Sequence, residues 1–248
     1  MLRSLLIVSL GACAIGVPTF AAAAPNEIKV FTDELANYRE HNLEIHVNKA
    51  SSAGPKAEGS ATPLQVMPEY SYGIWRNWEI SLQLPASISQ DTSRLEGYRA
   101  ELQYVAPHDE DDGFYWGVNF ELARVERSGE ASFWSVELIP ILGYRLDRWH
   151  FVANLGLDKA ISGSSRATSF EPAAKVAYRA FSKNWFGLEY YVDAGPLKNP
   201  LPHSEQSHVL YLAWDGRIGK SEVNVGIGRG LTDSSDRWVL KMICEFVF

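Results

Sequence analysis

The sequence predicts an all-β fold, a transmembrane antiparallel up-and-down β-barrel of about twelve strands. Three observations carry this expectation. Apolar and polar side chains alternate with a period of two along most of the chain, as strands require. Tight turns alternate with longer polar connections, the asymmetry of barrels that cross a bilayer. The chain also opens on a secretory leader and closes on an apolar-faced strand, WVLKMICEFVF (238–248).

The leader comes first. MLRSLLIVSLGACAIGVPTFAAAAP places Arg3 before an apolar run and ends it in the small residues Ala21 to Ala24. Residues 1–24 are therefore a signal peptide, removed before folding. LGAC (10–13) matches a lipid-attachment pattern, but its apolar run is short and a good cleavage site follows. Loss of the leader leaves Cys244 as the single cysteine, so no disulfide framework is available. The net charge of −7 becomes one unit more negative when Arg3 leaves. An acidic chain without a basic cluster gives no support to nucleic-acid binding.

Taken in order, alternation predicts strands at 43–52, 62–74, 78–88, 95–106, 114–126, 133–145, 148–160, 168–181, 185–195, 207–217, 222–230 and 238–248. In SFWSVELIPILGYR, Trp134, Val136, Leu138, Leu142 and Tyr144 share one face and Glu137, Gly143 and Arg145 the other. WEISLQLPAS sets Trp78, Ile80, Leu82 and Leu84 against Glu79, Ser81 and Gln83. WRN, LDR, SKN and GKS read as tight turns, with ASSAGPKAEGSA, SQDTS, RSGEA, SGSSRA, PLKNPLPHSEQS and TDSSD at the other end. Trp75, Trp78, Trp149 and Trp185 gather at the short-turn end, and Phe133, Trp134, Phe170 and Trp238 at the long-loop end, suggesting two interfacial belts. Residues 25–42, which fit a short helix, a tail or an extra strand, form an N-terminal periplasmic segment, and 43–248 the barrel. A soluble sandwich also alternates. Here, however, the polar face repeats Glu, Asn, Gln and Arg at mid-strand while the apolar face is large and aromatic.

The last strand sends Trp238, Phe246 and the terminal Phe248 to the lipid face and Lys241 and Glu245 inward. It resembles the carboxy-terminal signature of Gram-negative outer-membrane proteins. That resemblance implies an outer-membrane location with periplasmic termini, and recognition by the barrel-assembly machinery. SFEPAAKVAY (169–178), LEYYVDAGPL (188–197) and GIGRGLTDSSDRWVLK (226–241) resemble the outer-membrane porin and transporter family grouped with the phenol-degradation MetA-pathway proteins. The likeness implies fold and location, and carries over no catalytic residue.

With the polar face inward, Glu101, Glu121, Glu137, Glu171, Glu189 and Glu245 line the lumen with Arg99, Lys175, Arg179 and Lys241. Carboxylates outnumber bases there. Such a lining suits a narrow, passive, weakly cation-preferring pore for small solutes. The same charges could instead pair and fill the interior as a closed structural or surface-interaction barrel. A backbone radius of roughly 12 Å decides neither way. An outer-membrane hydrolase would need a serine and a histidine at the rim, and no recognisable motif joins them. GIGRG (226–230) precedes a strand where a nucleotide loop needs a helix, and DEDD (109–112) lacks the remaining calcium ligands. No cofactor and no metal is expected, and the partners are outer-membrane lipid, the assembly machinery and small solutes.

Overall fold

The computed structural model describes residues 28–51, 62–109, 111–127, 129, 131–163 and 167–248. The leader, LGAC and part of DEDD lie outside them. The strands are β1 (His41–Ser51), β2 (Leu64–Trp75), β3 (Trp78–Gln83), β4 (Ala86–Ile88), β5 (Ser93–Leu95), β6 (Gly97–Val105) and β7 (Gly113–Val125). They continue with β8 (Phe133–Leu146), β9 (Trp149–Ala160), β10 (Thr168–Phe181), β11 (Asn184–Asp193), β12 (Ser207–Ile218), β13 (Ser221–Gly230) and β14 (Trp238–Val247). Each pairs antiparallel with its neighbour, and β1 pairs with both β2 and β14, closing a barrel of twelve strands. Closure pairs the backbone of every wall strand on both sides, which hydrocarbon surroundings demand.

Two predicted strands are interrupted. The stretch 78–88 breaks at Leu84 and Pro85, although Leu84 N still donates to Pro68 O at 3.0 Å. Proline has no N–H for the ladder, so pairing stops there and resumes in β4. The stretch 95–106 divides at Glu96, just before Gly97, whose φ of +122° and close approach to the Arg124 carbonyl leave no room for a Cβ. β4 and β5 thereby form a small hairpin that extends the wall at the long-loop end. At the other end, Asn77, Asp147, Ser182 and Gly219 take positive φ in the tight turns.

The outer surface is apolar. Leu82, Phe120, Leu142, Phe151, Leu188, Leu212, Leu240 and Met242 are all exposed along it, an arrangement suited to hydrocarbon and costly in water. Trp75, Trp149 and Trp238 are exposed near its rims. Two predicted belt residues lie elsewhere. Trp185 falls on the inner face, its ring 6.0 Å from that of His150, and Phe133 falls on the inner rim beneath Arg127. Both follow from parity, since each shares a face with a lumen carboxylate on its own strand.

Residues 28–40, the described part of the segment ahead of β1, are where structure and expectation part most. Ile28 is 2% exposed and Phe31 6%, with Val30, Thr32 and Ala36 also buried. Before β1 begins, this stretch lies inside the barrel rather than beside it, and among its described residues Tyr38 alone bridges to a wall strand, at Gly73. Val30 and Phe31 pack on Val105, Tyr115, Ile139, Ile141 and Val152, while Ile28 packs on Ala50, Tyr211 and Val239. The interior therefore has a small apolar core, made by the chain's own amino-terminal segment against inward-facing aliphatic and tyrosine side chains.

Candidate functional site

The register sets the inner wall in order. Glu101 lies directly opposite Glu121, Glu121 opposite Glu137, and Glu137 opposite Asp158, so β6 to β9 carry a four-carboxylate ladder. A second ladder runs Glu222, Glu245, Glu44, Glu69 across β13, β14, β1 and β2. Like charges directly opposite one another destabilise a sheet. Their repetition is a cost that folding alone gives no reason to bear.

Partners lower that cost unevenly. Ser81 Oγ, Gln83 Nε2 and Asn119 Nδ2 donate to Glu101 at 3.2, 2.8 and 3.2 Å, and Arg99 reaches Glu121 at 3.4 Å. Further along, Glu171 stands opposite Gly156 on the inner face yet is exposed, as is Asp193 near the long-loop end. This part of the wall is acidic, with Glu101 and Glu121 buried and Glu171 and Asp193 exposed. On β10 to β14 the charges instead interlock: Lys175 lies 2.8 Å from Asp215 and 3.6 Å from Glu189. Glu189 is also paired with Lys241 and accepts from Tyr191 Oη at 2.7 Å. Arg179 lies near the short-turn rim, over the Trp185 ring.

The amino-terminal segment is tied into this wall by named bonds. Asn154 holds the Phe31 backbone on both sides: Phe31 N donates to Oδ1 at 2.8 Å, and Nδ2 donates to Phe31 O at 3.0 Å. Gln103 Nε2 donates to Thr32 O at 3.1 Å and Lys241 Nζ to Ile28 O at 3.1 Å. Asp33 pairs with Arg145 at 2.6 Å and His108 at 2.9 Å. Lys29 lies 3.0 Å from Glu44 and 3.9 Å from Glu69. These partners come from six strands and a turn, so the segment crosses the lumen and joins opposite walls.

The ten predicted lining residues thus separate into groups. Glu101, Glu121, Glu137 and Arg99 belong to the first ladder, with Glu171 beside it. Glu245 belongs to the second, where Asn42 Nδ2 donates to it at 2.6 Å. Glu189, Lys175 and Lys241 form the buried ion-paired cluster. Sequence reasoning missed Lys29, Phe31 and Asp33, whose segment has no period to place it. It also missed that Glu44, His46 and Glu69 converge, a pattern hinted at by Glu44 and His46 sharing a face two residues apart. Among the other histidines, the rings of His41, His150 and His208 bond to the hydroxyls of Tyr70, Tyr115 and Tyr190.

Among solved structures, the chain resembles an outer-membrane channel from Pseudomonas putida F1, with a TM-score of 0.64 and 11% identity, covering 90% of this chain and 100% of that one. It also resembles the NanC porin, with a TM-score of 0.52 and 14% identity over 82% and 97% of the two chains. A third neighbour is outer-membrane phospholipase A from Escherichia coli, with a TM-score of 0.50 and 11% identity over 85% and 97%. At these identities the likeness is one of fold. No protein-family model matches the sequence, and no curated protein does.

Proposed function

We propose that this chain is an outer-membrane channel for small solutes with a preference for cations. The observation that carries the reading is the ladder Glu101, Glu121, Glu137, Asp158, whose carboxylates face one another across adjacent strands. Such a row favours cations in a hydrated lumen. The apolar outer belt and the aromatic closing strand, Trp238 to Phe248, support a place in the outer membrane with periplasmic termini. Two of the neighbours in fold are described as a channel and a porin.

A second reading, a closed barrel with a structural or surface-interaction role, is favoured by one specific observation. The segment around Ile28 and Phe31 is buried in the lumen and braced against several strands. Conductance of the refolded protein in a planar bilayer under a salt gradient separates the two. Discrete steps with a cation-selective reversal potential support the channel, and Glu121→Gln with Glu137→Gln should then move that potential toward zero. Anion-selective steps would discard the role given to the ladder. Silence from protein shown to be inserted would favour the closed barrel.

A further inference from the structure

The second ladder contains more than carboxylates. Glu44 and Glu69 are direct cross-strand partners, and His46 lies one inward position along from Glu44. Its Nε2 sits 2.9 Å from Glu44 Oε2 and 3.3 Å from Glu69 Oε2. One donor atom from each residue falls within 4.8 Å of the other two. His46 is 0% exposed and the Glu69 side chain 1%. Glu69 is itself oriented, accepting from Ser71 Oγ at 3.4 Å and Gln83 Nε2 at 3.1 Å. A cation already stands here: the Lys29 ammonium, delivered by the internal segment, donates to both oxygens of Glu44 at 3.0 Å.

We propose that Glu44, His46 and Glu69 form a binding site for a divalent transition-metal ion, and that Lys29 is a tethered cation competing for it. One imidazole and two carboxylates are a donor set that suits zinc or cobalt, while oxygen alone would suit calcium or magnesium. Carboxylates held by neighbouring hydrogen bonds are how proteins orient metal ligands. A divalent ion takes the Nε2 lone pair, releasing to water the proton that Nε2 holds toward the two carboxylates, and it brings twice the charge of the ammonium to the same oxygens, so its binding drives Lys29 away. Because Lys29 precedes Phe31 by two residues, metal occupancy is coupled to docking of the internal segment. The site does not depend on whether the lumen conducts.

The test uses the refolded protein in detergent micelles. Cobalt is read by its visible absorption, and zinc by displacement of cobalt. The wild-type protein should bind one ion. Lys29→Met, which leaves every wall residue in place, should bind about fivefold tighter, the effect of removing one competing, partly exposed ion pair of about 1 kcal/mol. His46→Asn in that background should lose the gain. A Lys29→Met protein that binds no tighter than wild type would overturn the proposal, as would a folded His46→Asn variant that keeps the gain. A second measurement needs no substitution. Zinc should increase labelling of the Lys29 amine by an acylating reagent, read by mass spectrometry, and unchanged labelling at saturating zinc would also overturn it.

Discussion

Asn154 is the residue whose removal should most directly loosen the internal segment. It is 2% exposed and makes two hydrogen bonds to the backbone of one residue, accepting from Phe31 N at 2.8 Å and donating to Phe31 O at 3.0 Å. Asn154→Ala removes both and leaves two buried backbone groups without their partner. At about 1 kcal/mol for each bond, docking weakens by about 2 kcal/mol, more if the orphaned groups stay buried. At 1.4 kcal/mol per factor of ten, the ratio of docked to released segment falls about 30-fold. Two assays read this. Trypsin should cut after Lys29 faster in the folded variant than in the wild type. In a planar bilayer, the fraction of time spent in the larger conducting level should rise. Gln103→Ala, which removes only the bond to Thr32 O, should produce a smaller change in the same direction. Unchanged trypsin sensitivity and unchanged current in a folded Asn154→Ala protein would refute the idea that these bonds hold the segment in the lumen.

Two other substitutions probe the wall itself. Lys241→Met should destabilise the barrel by about 3 kcal/mol, because it strips a buried partner from Glu189. Lys175 at 3.6 Å keeps the loss at the lower end, and adding Glu189→Leu should return much of it, measured as the urea midpoint of tryptophan fluorescence. Gly143→Ala should cost about 1–3 kcal/mol by the same measure, since the new methyl group would fall within the Tyr115 ring and displace its bond to His150.

The strands were legible because a wall with an apolar outer face and a polar inner face writes a period of two into every segment it contains. Phe120 and Glu121, or Leu240 and Lys241, reveal their faces by adjacency alone. The carboxylate ladders were only half legible: parity sends Glu121 and Glu137 inward, but their standing opposite each other depends on register, which turn geometry fixes. The internal segment was illegible for a different reason. Lys29, Phe31 and Asp33 find partners on β1, β2, β9 and β8, each more than ten residues distant and none signalled by local spacing. Trp185 and Phe133 were misplaced when height along the barrel was weighed without facing. The break at Pro85 was open to view in the sequence, since a ladder donor is missing there.

The pairing of β1 with β14 has a kinetic consequence. Asn42 meets Val247 and Ser51 meets Trp238, so the seam joins the two ends of the wall. Nearly every other pairing is a hairpin between neighbours, quick to form; this one must wait for all of them, and long loop closure makes it slow. The segment around Phe31 leads straight into β1, and its contacts reach walls on both sides of the seam, Glu44 and Lys241 among them. Seating the segment and zipping the last seam are therefore bound to a single late event. A substitution that weakens the seat should slow closure, leaving two unpaired edges exposed for longer to other chains.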